Sequence, residues 1–487
     1  MNTRTFKLVT LVMISALYVG NVAAEELQQS DLNLATQQLE LENKVEEARL
    51  AAEKKAEEER LALEAEKRFS ERLGEVSLQF KPLIAKIYVE NHFSPIWTDN
   101  QAKQQFLHDY ALAIAGGISK RSANALNAIH EATGKGELIE DVLLTDAFLD
   151  YLFYATNVAK SAQKWLYAGN SYKAGQLSDE QVSAWLSAVK NNDNFTFVKN
   201  LSGENTLFKQ TSARVAHVIE AGVDKHNMVE LHRLAINAQR LRILPVFQDG
   251  IFVNIPSYEL NYYRDGQVVL SSRVIVGQSS RKTPVMSSRL SNVVMNPPWN
   301  APTRLINEDI IPKVRKDPSY IYRHGYTIID GSGNTIDPYT IDWENMSAKR
   351  FPYRLRQAPS DNSALGNYKF NMPSSEAIYL HDTPKRNLFG NKNRALSSGC
   401  VRVEKSDQLA TILLKEAGWT DERKQNVLKS KKTTSAGIKS DNPVFLYYVT
   451  AWVDKDQVHT LPDIYGYDKT PDLSYINWDI LKHYIQR

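Results

Sequence analysis

Three different spacings of hydrophobic positions follow one another along this 487-residue chain, and the changes of spacing divide it. Residues 1–24 carry Arg4 and Lys7, then an apolar run from Leu8 to Val19, then the small residues Val22, Ala23 and Ala24. The run is shorter than the ~20 residues of a spanning helix, so a cleaved secretory signal is expected. Residues 25–73 are Glu-, Ala-, Lys-, Arg- and Leu-rich and lack Gly and Pro. That predicts a long solvated helix supported by i,i+4 ion pairs. A heptad seam starts at Leu34, Leu41 and Ala48, with Val45 and Ala52 at the alternate spacing, and breaks at Lys55 and Glu59. A stalk or spacer is therefore expected rather than a sustained coiled coil. Residues 74–245 read as a helical scaffold. Leu231, Leu234, Ala235, Ala238 and Leu241 recur at helical spacing, and Trp165 and Trp185 sit in similar amphipathic stretches as core residues.

From Ile251 the period becomes two: Ile251, Val253 and Ile255 alternate with Phe252, Asn254 and Pro256. Asp265-Gly266 predicts a hairpin turn before a strand over 267–276. Thr283-Pro284 and the run 291–295 continue the β pattern. Residues 301–362 interrupt it with a helix over Asn307–Lys316, a short strand at 326–329 and a loop at 330–334. This stretch is aromatic-rich (Tyr320, Tyr322, Tyr326, Tyr339, Trp343). The β-rich part spans residues 246–465, and residues 466–487 read as a C-terminal tail.

Composition changes this picture little. At 43% hydrophobic and 10% aromatic the chain can bury a sizeable core, and its length suits two or three domains. A net charge of +3 with no dense Lys/Arg block gives no reason to expect nucleic acid. Lys424, Lys429, Lys431, Lys432 and Lys439 cluster. A solvated loop is the plain reading, and an anionic glycan or phospholipid contact is the alternative. No His/Cys/carboxylate cluster has metal-ligand spacing, and no cofactor is implied.

Chemistry enters at Cys400, the only cysteine, with His381 19 positions upstream. A lone thiol in an exported chain has no disulfide partner. It reads either as a nucleophile with a histidine base or as a small buried hydrophobe. If the segments are extended, Ser398, Cys400 and Arg402 share one face, with Val401 and Val403 on the other. Tyr379 and His381 share a face likewise, opposite Ile378 and Leu380. Two ordinary half-buried strands would explain the valines. They would not explain a Gly-Cys-x-Arg face beside a Tyr-x-His face.

The segments Ile378-Tyr379-Leu380-His381-Asp382-Thr383-Pro384 and Arg394-Ala395-Leu396-Ser397-Ser398-Gly399-Cys400-Val401-Arg402-Val403 resemble the catalytic core of the L,D-transpeptidases of the YkuD type, closest to their large YcbB-type subgroup. Asn296-Pro297-Pro298-Trp299-Asn300 and Leu365-Gly366-Asn367-Tyr368-Lys369-Phe370 add to the resemblance. It is dense over residues 240–465 and thins over 75–240, where 91–97 resembles the start of the subgroup's helical scaffold. It is absent from 25–73. No counterpart of the subgroup's inserted peptidoglycan-binding module is evident. The resemblance implies an α+β multi-domain protein. It would have a helical stalk and scaffold, a mainly-β YkuD-like sandwich, and a capping subdomain at 301–362 over the active-site cleft. That cap is either a lid that excludes water or a fixed structural insertion.

The resemblance also implies chemistry. Cys400 would be the nucleophile and His381 its general base. Backbone N–H groups of Gly399 and Cys400 would be oxyanion donors, and Gly399 would let backbone approach substrate. Tyr379 would add a hydroxyl donor or simply pack as an aromatic. Arg402 would hold a stem carboxylate bidentately or form a structural ion pair. Ser397 and Ser398 would touch substrate, and Trp299 would line the cleft or belong to the core. Asp382 stands where many family members have Gly and should point away from His381, so no Cys-His-Asp triad is expected. The substrate implied is the peptidoglycan stem tetrapeptide in the periplasm of a Gram-negative bacterium. Acyl transfer would run from its meso-diaminopimelate, releasing D-alanine, to the diaminopimelate amine of a second stem. Carbapenems would acylate Cys400. The same thioester also allows D-amino-acid exchange, attachment of an outer-membrane lipoprotein, or L,D-carboxypeptidase hydrolysis. From another class, the chain reads as a non-catalytic wall-binding scaffold. Oligomeric state is not readable.

Overall fold

The computed structural model describes residues 22–168, 172–347 and 351–486, with side chains from residue 40 onward except 439–441. The expected signal falls on residues 1–24, of which 1–21 lie outside the described residues. Two compact units divide the chain between Ser94 and Pro95.

In the first unit the charged segment is one helix, Val22–Leu73. Arg60 pairs with Glu57 and Glu64, and Arg49 with Glu46 and Glu53. Leu41 and Val45 are 63% and 62% exposed, so the described part of the heptad seam is solvated rather than packed. Among the described side chains of this helix, only those of the last turns are buried, Ala65 and Phe69, with the Phe69 ring 6.5 Å from Tyr88 of the helix Lys81–Glu90.

The second unit opens with a helical layer. Asp99 caps Asn100–Ala115 through the N–H groups of Gln101 and Ala102, and a Ser178/Gln181 capping box starts Asp179–Lys190. Trp97, Phe106, Phe148 and Trp185 form its aromatic centre, with Phe148 and Trp185 centroids 4.8 Å apart. All five predicted aliphatic positions of Met228–Arg242 are buried, and Trp165 packs against the main core. The expected C-terminal tail is a correction. Trp478–Ile485 is a helix that buries Ile480, Leu481, Tyr484 and Ile485 against the helices Asn100–Ala115 and Thr206–Ala221. Its strong one-sided apolar stripe is the reason.

Among the described residues nine strands form one sheet. Their spatial order is Ala395–Ser397, Gln267–Gly277, Val401–Val403, Leu380–His381, Tyr368–Asn371, Met286–Met295, Thr434–Tyr447, Gly250–Asn254 and Glu259–Arg264. Glu259–Arg264 pairs back onto Gln267–Gly277, so the sheet closes on itself around Val253, Val274, Val293, Phe370, Leu380 and Val401. Asp265 and Gly266 both have positive φ (49° and 72°), as the hairpin between these two strands requires. Gly250–Asn254 is buried on both faces, because Phe252 stacks with Phe445 at 4.8 Å on the side away from the core.

The interruption has its own sheet, Trp299–Asn300, Arg354–Gln357, Tyr326–Ile329 and Thr335–Ile336, packed on a helical run from Thr303 to Lys316. Its core is separate and centres on Ile310, Val314, Ile328, Trp343 and Leu355. The lysine cluster is solvated only in part. Lys424 is buried on Asp407 and Thr411, because it lies on the inner side of the helix Asp421–Ser430. Lys429, Lys431 and Lys432 are exposed; Lys431 pairs with Asp361, and the Lys439 side chain lies outside the described residues.

Candidate active site

Two short parallel strands bring the signature segments together. Leu380 pairs with Val401 and His381 with Arg402. Leu380, Val401 and Val403 enter the core, fully buried, which turns His381 and Arg402 to the opposite face. Cys400, two residues before Arg402, takes that same face, diagonal to His381. A third strand completes the row, because Lys369 is the antiparallel partner of His381. Alternation fails only upstream. Ala377 has a φ of 52°, and Ile378 both packs against the core that holds Leu380 and lines the cleft beside Tyr379.

These side chains line a cleft of about 540 Å3, together with Trp299, Ser397 and Ser398 and, from the inserted subdomain, Asp309, Lys313, Tyr320 and Tyr326. His381 is buried, and its Nδ1–H donates to the Asp382 backbone carbonyl at 2.5 Å. That bond fixes the tautomer and leaves Nε2 as the acceptor. The Asp382 carboxylate points elsewhere, accepting from Asn367 N, Ser406 Oγ and Arg386. Burial and then the Arg402 charge hold the imidazole pKa down at about 3. Burial pushes the Cys400 thiol up, against the Tyr379 N–H, the Tyr379 hydroxyl, Lys369 and Arg402, which all pull it down. Both shifts favour the neutral thiol and the neutral imidazole within this one cleft.

Each sequence-assigned residue finds a place, not always the expected one. Tyr379 lines the cleft with Cys400 and Trp299; burial and then the Cys400 charge push its hydroxyl pKa up, and the Trp299 indole opposes them. Trp299 serves the cleft and also packs on the inserted core, 6.0 Å from Tyr326. Arg402 forms no ion pair among the described residues, and its buried Nε has no hydrogen-bond partner. The structural ion-pair alternative therefore lacks support. Ser398 Oγ accepts from Arg281, whose guanidinium also grips Asp309 and Glu308 of the inserted helix.

Ser397 stands in the cleft wall as expected but is engaged within its own loop, and the donor role of Gly399 is corrected. Ser397 is buried, its hydroxyl donating to the Cys400 carbonyl at 2.6 Å and accepting from Gly399 N–H at 3.1 Å. It holds the loop together at the wall of the cleft, with its hydroxyl engaged on both sides. The Gly399 N–H is thereby engaged and is not a free oxyanion donor. Glycine is needed here for its φ of 123°. Its carbonyl accepts from Thr283 Oγ1 at 2.7 Å, and that oxygen accepts from Gly277 N–H at 2.8 Å. Tyr465 Oη donates to the Gly277 carbonyl and accepts from Thr283 N–H. Thr283, Tyr465 and Lys369 were not assigned from sequence. Lys369 lies in a quoted motif and carried a signal; the other two become visible only through long-range contacts.

Comparison with known proteins bears on the family of the chain. A model of the L,D-transpeptidase catalytic domain matches residues 248–417, and one of a scaffold domain matches 82–214. A Haemophilus influenzae protein named as a candidate L,D-transpeptidase is 58% identical over 417 residues, 86% of this chain and 84% of its own. Solved structures similar over part of the chain include an Enterococcus faecium L,D-transpeptidase with its cysteine changed to serine. It is 12% identical with a TM-score of 0.19, over 41% of this chain and 50% of that one. Another is an L,D-transpeptidase from Mycobacterium smegmatis, 11% identical with a TM-score of 0.20, over 42% and 60%. The chain thus spans half to three-fifths of those two proteins.

Proposed function

The chain belongs to the L,D-transpeptidase family, and from that premise we propose that its cleft cross-links peptidoglycan stems by acyl transfer through Cys400. The observation that carries this is the row His381–Arg402 beside Cys400, with His381 Nδ1 tied to a backbone carbonyl and Nε2 left as acceptor.

The steps follow from the groups present. As Cys400 Sγ attacks the carbonyl carbon of the third stem residue, meso-diaminopimelate, its proton passes to His381 Nε2. The C–N bond to D-alanine then breaks, and His381 returns that proton to the departing amine, leaving a thioester. An amine of a second stem's diaminopimelate attacks the thioester and loses a proton to His381. The sulfur departs and is reprotonated. The carbonyl oxygen gathers charge in both halves. With Gly399 N–H engaged, the Cys400 N–H is the backbone donor available, and the Tyr379 hydroxyl stands beside the sulfur. The unpaired Arg402 suits a stem carboxylate.

Export to the periplasm accords with this substrate and with the apolar N-terminal run. The inserted subdomain, held over the cleft by Arg281, would shield the thioester from water. That favours transfer over hydrolysis. The deciding experiment incubates the protein with disaccharide-tetrapeptides and weighs the products. A cross-linked dimer supports the proposal; trimmed tripeptide or exchanged stem alone would replace transpeptidation with hydrolysis or exchange. Cys400→Ala should abolish every product and the carbapenem adduct while preserving the fold. Residual cross-linking by that variant would disprove the nucleophile assignment.

A further inference from the structure

Two cations flank the histidine, and neither is neutralised. Lys369, His381 and Arg402 are direct cross-strand partners on three adjacent strands. Adjacent strands lie about 4.8 Å apart. Both cations line the cleft, and among the described residues neither Lys369 nor Arg402 forms an ion pair, although Asp309 and Glu376 line the same cleft. Lys369 is half-buried, with its ammonium 4.3 Å from the Tyr379 ring centroid, and the buried Arg402 Nε has no acceptor. Cations held out of bulk water without a partner are costly unless a ligand supplies the anion.

The order of the row assigns the anions. Sulfur, and hence the acyl carbon, belongs to the strand of Arg402. The departing nitrogen must reach His381, one strand across, to take its proton. Continuing in that direction, the rest of the leaving residue falls toward the third strand and Lys369. We propose that Lys369 is a specificity-determining residue that binds the terminal carboxylate of the departing D-amino acid, while Arg402 serves the acyl side. This deepens the transpeptidase reading and rests on it.

The carboxylate of an amino acid lies two bonds beyond its nitrogen. A stem ending directly after the scissile bond places its charge at Lys369. A stem with one more residue places a neutral amide there and moves the carboxylate about 3.8 Å further on. The pair of cations thus measures chain length and selects tetrapeptide donors over pentapeptides.

The test compares a synthetic tetrapeptide with its C-terminal amide and reads release of D-alanine or D-alaninamide under single-turnover conditions. The wild type should favour the acid by about 10-fold or more, as expected for a charge-assisted contact. Lys369→Met should bring the acid-to-amide ratio close to one, and Lys369→Arg should restore most of the preference. Arg402→Met should slow both substrates and keep the ratio. A circular-dichroism melt that matches the wild type would establish that Lys369→Met is folded. Retention of the wild-type ratio by folded Lys369→Met, or no preference in the wild type, would overturn the inference. Release of neither product by the wild type would instead overturn the transpeptidase reading beneath it.

Discussion

Replacing Thr283 by valine tests the framework of the site without touching a reacting group. Thr283 is fully buried, and its hydroxyl makes two bonds: it accepts from Gly277 N–H at 2.8 Å and donates to the Gly399 carbonyl at 2.7 Å. Valine keeps the shape and leaves both backbone groups buried and unpaired. Each orphaned group costs about 1–3 kcal/mol. The sum is about 2–6 kcal/mol, less something under ~1 kcal/mol for the added buried methyl. The Gly277 loop cannot easily shift to compensate, because even a Cβ on Gly277 would stand 2.1 Å from the Arg281 carbonyl. The kinetic effect follows from the same bond. Without it the Gly399–Cys400 peptide loses its anchor, and small misplacements of a reacting group cost up to ~100-fold in rate. Urea denaturation and carbapenem acylation of Cys400, followed by mass, measure the two effects. Thr283→Ser should restore both. A valine variant less than about 1 kcal/mol below the wild type, acylating at the wild-type rate, would refute the idea that this hydroxyl fixes the loop.

Four further expectations concern charge and backbone. Burial and Arg402 hold His381 at about 3, so the base stays neutral from pH 8 to 5 and the acylation rate should show no acid limb near 6.5. An inflection there would contradict the assignment. The sign for stability is the opposite of a paired histidine's. The unfolded chain protonates His381 near 6.5 and the folded chain does not, so the contribution is fully present above 6.5. It declines by about 1.4 kcal/mol per pH unit as pH falls toward 3, which acid titration of the melting temperature would register. Gly366→Ala should destabilise by at least about 2 kcal/mol and slow turnover. Gly366 has a φ of 57°, and a Cβ would meet Asp382 Oδ2 at 2.4 Å, displacing the residue whose carbonyl orients His381; an unchanged melt and rate would contradict this. Arg281→Met should change stability by no more than about 1 kcal/mol, since Glu308 and Asp309 are partly exposed. It should nonetheless speed protease cleavage within 301–362 and raise the hydrolysed fraction of product. Unchanged cleavage would mean the inserted subdomain is held by other contacts.

Much of this protein was readable from its sequence because the relevant signals are local. Period-3.6 and period-2 spacing set out the helical layer, the strand at 326–329 and the Asp265-Gly266 turn, each governed by residues within a few positions. Alternation alone put Cys400 with Arg402 and Tyr379 with His381, since a pleated strand allows nothing else. What needed tertiary structure depends on partners far apart in sequence. Strand order made Lys369 the neighbour of His381. A hydroxyl more than 110 positions away anchors Gly399. The Ser397 hydroxyl is engaged within its own loop because that loop's carbonyl and N–H were its nearest unmet partners. The last helix docks only because helices formed more than 250 residues earlier offer it an apolar surface. A sequence fixes which face a side chain takes; which other groups share that face is settled only when the sheet closes.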